Sequence, residues 1–326
     1  DPGDEKDICV AALQDHETVQ SQKLVAIVVT HERAQKLRVT LERLLLANPA
    51  DLEAVVVVDN ASTDDTARVL AMFTDPRLHV ITHDSNLGGA GGFETGMRAA
   101  SARFDPDWMV LMDDDARPAE GALAAFQALD TERWEALAAA VYFPDGEICA
   151  MNRPSYNPFR GQGVHVGPND YAGDMIAVDA STFVGFFVSR AAIARVGYPD
   201  GRLFVYGDDG LFTLTLSQTG AAIGFAPSIH FEHDCSTFSG ARLTPLWKVY
   251  YYHRNLLLFY RQAGGWRFWP ALAVLLPKWV AKLRHYPGEQ GAFLRLLGYA
   301  VRDGLTGRLD ATHADVQALA AGAQKT

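Results

Sequence analysis

The chain has 326 residues, 48% of them apolar and 21% charged, which is ordinary globular usage and excludes collagen, coiled coil and general disorder. Its 29 Lys and Arg stand against 39 Asp and Glu, a net charge of −10 that argues against a nucleic-acid-binding protein. Three cysteines, Cys9, Cys149 and Cys235, are too few for a disulfide framework or a cysteine-based zinc site, so a reducing compartment is expected.

Residues 1–22 read as a polar lead-in with no signal-peptide pattern. Leu24 to Thr30 is a continuous apolar, β-branched run, which fits a strand buried on both faces of a parallel sheet. Helical periodicity follows over Ala34 to Ala47. Ala54 to Val58 is a second buried strand, and Ser62 to Phe73 a helix with Thr63 and Asp64 as caps. Leu78 to Thr82 and Trp108 to Met112 are strands on either side of a helix over Gly89 to Arg103. Strands alternating with helices define βαβ units and a parallel sheet. Beyond Asp115 the pattern loosens. Pro118 to Leu129 is a helix, residues 141–180 are strands and loops, and Ala191 to Val196 and Gly210 to Thr219 are short helices. Ala221 to Phe225 is a strand, and from about residue 244 the pattern is helical.

Five clusters carry candidate chemistry. Asp113-Asp114-Asp115 follows the strand WMVLM directly, and ligands of open α/β sheets bind beyond the carboxyl ends of the strands. Adjacent carboxylates repel unless a cation sits among them, and Asp113 and Asp115 can turn together toward one hard ion such as Mg²⁺ or Mn²⁺. The plain alternative is a solvated acidic turn countered by Arg117. Asp59 ends the second strand and can accept hydrogen bonds from a ribose or a base, or merely hold an Asx turn. Asn86-Leu87-Gly88-Gly89-Ala90-Gly91-Gly92 brings backbone close to an anion at a helix start, or serves tight helix–sheet packing. Asp208-Asp209 supplies a general base or a helix cap. His230 or His233 completes a metal site or is structural.

Taken in order, VAIVVTHER, VVVVDNASTDDT, NLGGAGGFETGM, WMVLMDDDARP and FVYGDDGLFTL resemble family 2 glycosyltransferases with the GT-A fold. Within that family the pattern is most similar to bacterial galactofuranosyltransferases and related rhamnosyltransferases. The resemblance covers about residues 23–255. It implies a Rossmann-like, mostly parallel α/β sheet flanked by helices in a catalytic domain over 23–240, and a C-terminal helical region over 241–326. It implies that Asp113 and Asp115 are the metal-binding pair, with His233 as third ligand of Mn²⁺ or Mg²⁺. Asp114 is then expected to face the donor's ribose or sugar, and Asp59 the uridine. Thr30 and Arg33 face the nucleotide, and Asn86, Gly88 and Gly89 lie near the donor. Asp209 matches the base that activates the acceptor, with Asp208 beside it. The first loop reads Thr30-His31-Glu32-Arg33 where the family often has an aromatic or Asn before the Arg.

The expected reaction is single-displacement, inverting transfer of a sugar, galactofuranose first, from a UDP-sugar to a glycan or polyprenyl-diphosphate-linked acceptor. A dTDP-rhamnose donor is the alternative sugar, and a nucleotide-sugar-binding protein without turnover the non-enzymatic one. A sugar-phosphate nucleotidyltransferase would carry a Gly-rich basic loop after the first strand, which Thr30 to Arg33 is not.

Charge is unevenly spread. Residues 241–308 hold eleven Lys and Arg against Glu289 and Asp303, and four of the six tryptophans. Such a stretch fits peripheral contact with anionic headgroups, or packing on an acidic catalytic body. A cytoplasmic location at the inner face of the cell membrane is the corresponding expectation.

Overall fold

A computed structural model describes residues 21–161, 163–235 and 242–322. The lead-in over 1–22 therefore falls almost wholly outside the described residues. The first half alternates as the sequence predicts: β1 (Leu24–Thr30), α1 (Ala34–Leu45), β2 (Ala54–Asp59), α2 (Thr66–Leu70), β3 (Leu78–Thr82), α3 (Gly88–Phe104) and β4 (Trp108–Asp113). Every residue of β1 and β2 is buried, as their unbroken apolar runs require. Fully burying each Val, Leu or Ile contributes roughly 1.5–3 kcal/mol, so these strands anchor the sheet. Helix α2 is much shorter than the pattern over Ser62 to Phe73. Its expected first turn is drawn into side-chain bonds instead: Asp59 Oδ1 accepts from Ser62 N at 3.0 Å, and Asp64 serves two helices, its Oδ2 accepting from Ala34 N of α1 and its Oδ1 from Thr66 N of α2, each at 3.0 Å.

The second half holds β5 (Ala116–Pro118), α4 (Ala122–Gln127), β6 (Ala136–Tyr142), β7 (Ile176–Val178), β8 (Phe186–Ser189), α5 (Arg190–Val196), α6 (Asp208–Gln218) and β9 (Ile223–His233). Four helices close the chain: α7 (Lys248–Gly264), α8 (Phe268–Ala281), α9 (Gln290–Thr306) and α10 (His313–Ala321). Among the described residues the strands form one nine-stranded sheet in the order β3-β2-β1-β4-β8-β6-β9-β5, with β7 also on β9. Strands β1 to β4 pair in parallel, as do β6 and β9, while β8 runs antiparallel between β4 and β6. Strand β9 is twice the length expected and contains His230 and His233, rather than ending before them.

The core divides by face. One cluster packs Leu37, Leu41 and Leu44 of α1 and Phe126 of α4 against the sheet. The opposite face carries Phe93 and Met97 of α3 and Phe212 of α6. A third cluster joins Tyr250, Leu257, Phe268, Trp279, Phe293 and Leu296 of the C-terminal helices to Phe204, in the loop before α6.

Candidate active site

Parallel pairing sets the carboxyl ends of β2, β1 and β4 side by side. Thr30 stands opposite Asp59, and Val29 opposite Asp113. β1 therefore lies between the two acidic strand ends, with Thr30 at its tip. The acidic triplet then turns sharply. Thr40 Oγ1 of α1 donates to Asp114 O at 2.7 Å, and Asp114 N bonds Val29 O at 3.2 Å. Short β5 runs antiparallel to the end of β9, with Ala116 opposite His233, and Asp234 N bonds Asp115 O at 2.8 Å. This zipper carries His233 to the triplet from more than a hundred residues downstream.

One oxygen each of Asp113 and Asp115 and a ring nitrogen of His233 lie within 4.8 Å of one another. Asp115 Oδ1 is 3.2 Å from His233 Nε2. His233 Nδ1 is 2.7 Å from Asn152 Oδ1, and Asn152 Nδ2 is bonded to Thr182 Oγ1 at 2.9 Å. With the amide oriented that way, its oxygen accepts only, so Nδ1 carries a proton; Nε2 then donates to Asp115 as an imidazolium, or as the neutral ring offers a lone pair toward that carboxylate. In the neutral form, a lone pair and an anion that face each other are held stably by a cation between them. The three groups thus fit a hard divalent ion, and Asn152 orients the imidazole for it.

The electrostatics agree. Burial pushes the Asp113 carboxyl well above the usual range, and Asp115 and Asp114 push it further, against the pull of Arg33. Burial also raises Asp114, to about 6, despite Arg33 and a hydrogen bond from Thr30. For Asp115 the His233 hydrogen bond and charge, with Arg33 and Lys36, outweigh burial and hold it below its ordinary value.

Asp114 does not line the cluster. It is buried and accepts from Thr30 Oγ1 at 2.7 Å and Arg33 Nη1 at 3.2 Å. Arg33 also bonds Asp115 Oδ2 at 2.7 Å, while half its side chain stays exposed. Arg33 thus sits on the rim of the triplet. Lys36 is the next cation there, paired with Asp234 at 3.2 Å, and Lys248, the first residue of α7, lies in the field of Arg33. Its pKa is lowered by burial and by the charge of Arg33, and its ammonium is 6.0 Å from the Tyr206 ring. Lys248 was not singled out from sequence, because a helix end 130 residues away gives no local sign of lying here.

Asp59 is buried in its turn, with Oδ1 on Ser62 N. The next residue, Asn60, ties this turn to the glycine loop: Asn60 Nδ2 donates to Gly88 O at 2.8 Å. Asn86 Oδ1 accepts from Gly88 N at 2.7 Å, and Ala90 N reaches Phe204 O at 3.1 Å. Gly88 has φ +72°, and a Cβ there would lie 2.0 Å from Phe204 O. A Cβ on Gly92 would lie 2.4 Å from Val29 Cγ1, so this glycine serves close helix–sheet packing. Gly89 faces open space.

The same Phe204 begins the loop that delivers Asp208 and Asp209 to the first turn of α6. Phe204 and Tyr206 hold φ values of +68° and +66°, costly for bulky residues. Helix α7 fixes them. Asn255 Nδ2 lies 3.0 Å from the carbonyls of Leu203 and Val205 and 2.7 Å from that of Tyr206. The wholly buried Arg254 donates to Leu203 O at 2.9 Å, between the rings of Tyr250 and Tyr251. Asp208 is buried, and Asp209 accepts from Gly210 N at 2.6 Å. Burial raises both carboxyls, Asp208 further through the Asp209 charge, to about 8 and about 6. The Asp208 charge also adds to the rise at Asp113.

The site thus combines a mostly parallel sheet with acidic strand ends, a glycine loop and a carboxylate pair on a braced loop. Residues 25–174 match the family model of Glycosyl transferase family 2. The galactofuranosyltransferase GlfT1 of Mycolicibacterium smegmatis is 28% identical over 227 residues, covering 67% of this chain and 72% of that protein. The N-acetylglucosaminyl-diphospho-decaprenol L-rhamnosyltransferase of Mycobacterium tuberculosis is 26% identical over 273 residues, covering 75% and 86%. The mannosyltransferase PcManGT from Pyrobaculum calidifontis, solved with GDP-Man and Mn²⁺, superposes with a TM-score of 0.53 at 17% identity over 92% of this chain and 79% of that one. The fold is therefore GT-A. Residues 25–174 match a family 2 glycosyltransferase domain, and the chain is a glycosyltransferase.

Proposed function

We propose that the protein is a metal-dependent, inverting transferase of galactofuranose from a UDP-sugar to a hydroxyl of a glycan or polyprenyl-diphosphate-linked acceptor. The observation that supports the metal dependence is the cluster of Asp113, Asp115 and His233, whose ligand atoms lie within 4.8 Å of one another, with His233 Nε2 3.2 Å from Asp115 Oδ1. Asp113, Asp115 and His233 are the residues that hold Mn²⁺ or Mg²⁺. When bound, such an ion offsets charge developing on the leaving diphosphate. Arg33 and Lys248 add cations on the same rim. Thr30, Asp59 and the Asn86–Gly89 loop frame the nucleotide. Asp114 contributes by bracing Thr30 and Arg33 rather than by direct contact.

Asp209 is the general base that removes the acceptor hydroxyl proton, and Asp208 positions the acceptor beside it. A base raised toward neutrality matches its task, since it takes a proton readily and is still ionised at working pH. Attack by the activated hydroxyl displaces the nucleoside diphosphate in one step and inverts the anomeric centre. No protein nucleophile is needed.

UDP-galactofuranose is favoured by the galactofuranosyltransferase relatives, which share two thirds of the chain. A dTDP-rhamnose donor is the second reading, favoured by the rhamnosyltransferase that aligns over a longer stretch. The basic, aromatic surface of 241–308 supports peripheral contact with the inner face of the membrane, where a lipid-linked acceptor would be met. No helix among the described residues is long and apolar enough to cross a membrane.

Calorimetric and thermal-shift titrations with UDP and dTDP, with and without Mn²⁺, test the reading, because a ligand of the native state raises its stability by mass action. Mn²⁺-dependent stabilisation by UDP, lost in Asp113→Ala, is expected. A preference for dTDP would move the donor to rhamnose, and no response to either nucleotide would overturn the donor site.

A further inference from the structure

Sulfur gathers on the side of His233 that faces away from the triplet. Cys149 is fully buried in the turn after β6, its N–H held by Val141 O at 2.9 Å. Cys235 lies two residues past His233 and is partly exposed. One ligand atom from each of Cys149, Cys235 and His233 falls within 4.8 Å of the others. Cys149 Sγ is 3.9 Å from His233 Nδ1, and Cys235 Sγ is 3.3 Å from Met151 Sδ. A tetrahedral ion with sulfur at roughly 2.3 Å sets its ligand atoms roughly 3.5–4 Å apart, and here it takes the place of Asn152 Oδ1, which lies 2.9 Å from Cys149 Sγ and 2.7 Å from His233 Nδ1. Thiolate and thioether donors select soft ions over Mg²⁺ and Mn²⁺. Partly exposed Cys235 and Met151 give the ion a way in.

We infer that Cys149, Cys235 and His233 Nδ1, with Met151 as fourth donor, form a second site for a thiophilic ion such as Zn²⁺, and that filling it withdraws His233 from the acidic-side ion. The second clause rests on the assignment of His233 to that ion. A neutral imidazole has one ring lone pair to offer. A soft ion at Nδ1 takes that pair, and the ring proton moves to Nε2, where Asp115 Oδ1 at 3.2 Å accepts it. The two thiols release their protons to solvent as they become ligands, and no oxidant takes part. The acidic-side ion keeps two carboxylates and loses its third ligand. Zinc-class ions then inhibit the enzyme from behind its own metal site.

The full chain, kept reduced with a phosphine, is titrated with Cd²⁺ while thiolate-to-metal charge-transfer absorption is recorded. Binding of Mn²⁺ in the presence of UDP is followed in parallel by the paramagnetic resonance of the free ion. One Cd²⁺ per chain is expected, with the absorption lost and the affinity reduced by more than about tenfold in Cys235→Ser and in Cys149→Ala. Cys235→Ser is the variant least disruptive to folding, since its side chain is partly exposed. Cd²⁺ should weaken Mn²⁺ binding in the wild type and leave it unchanged in Cys235→Ser. Absorption that persists in both variants overturns the site. Equal weakening of Mn²⁺ binding in wild type and Cys235→Ser overturns the coupling. A wild type that binds no Mn²⁺ at all sinks the acidic-side assignment and the coupling with it, while the cadmium absorption still decides the sulfur site by itself.

Discussion

In the proposed reaction Asp209 takes the acceptor proton and the buried Asp208 beside it positions the acceptor. Replacing the base by its amide keeps the size and removes the lone pair that accepts the proton. Asp209→Asn should lower kcat by about 10²–10⁴ while calorimetry finds UDP binding unchanged. The pair also leaves a mark on stability. Both carboxyls titrate in the folded state near 6 and 8, above their ordinary value, so between about pH 4 and pH 8 the native chain holds protons that the unfolded chain has released. Native stability should therefore fall as pH rises through that window. Denaturant melts in EDTA should show this slope, and Asp208→Asn should flatten it. An unchanged slope in that variant would place the proton uptake elsewhere. Much of this chemistry was legible in the sequence, because Asp113, Asp115 and Asp209 stand at strand and helix ends within recognisable strings. Asn152, Asn255 and Lys248 were not. Each acts on a residue 40 to more than 200 positions away; Lys248 and Asn255 stand in a basic, aromatic stretch that reads from sequence as a membrane or packing surface, with no sign of which loop it braces.

Among the elements, α7 reaches furthest into the site. Asn255 holds three carbonyls of the loop that carries two bulky residues at positive φ, and Gly88 abuts the same loop from the donor side. Asn255→Ala frees those carbonyls in a buried setting, at about 1–3 kcal/mol. Thermal melts should register that loss. Turnover should drop by about tenfold or more for every substrate, since a displacement of about 1 Å far from the chemistry can cost even more. A normal kcat in a destabilised Asn255→Ala would show that the loop holds itself. The elements differ in how plainly they were written. Strands β1, β2 and β4 are apolar runs buried on both faces and could be read directly. Strand β6, Ala136–Tyr142, escaped notice because alanine favours helix; it is small there because β6 lies between β8 and β9, and a Cβ on Gly185 would already come within 3.0 Å of Ala139 Cβ. The short strand β8 gave too few residues for a period. The second half of β9 was hidden because its pairing shifts register between Ala139 and Ala140.

At the scale of the whole molecule, an acidic catalytic body is joined to a basic helical end through the shared cluster of Phe204, Tyr250 and Tyr251. Trp266 and Trp269 are 76% and 62% exposed around the start of α8, beside Arg267, with Lys278 in the last turn of the same helix. Aromatics and cations together suit an anionic bilayer surface. Co-sedimentation with vesicles containing phosphatidylglycerol should retain the protein at low salt, and either high salt or Trp266→Ser with Trp269→Ser should release it. Equal retention by neutral vesicles would refute an electrostatic contact. The central claim is that Asp113, Asp115 and His233 share one divalent ion in donor binding. Anomalous diffraction from crystals grown with Mn²⁺ and UDP tests it most directly. The account predicts a single manganese peak roughly 2.0–2.3 Å from one oxygen of each carboxylate and from His233 Nε2. A peak held by the diphosphate alone, or none at the triplet, would contradict it.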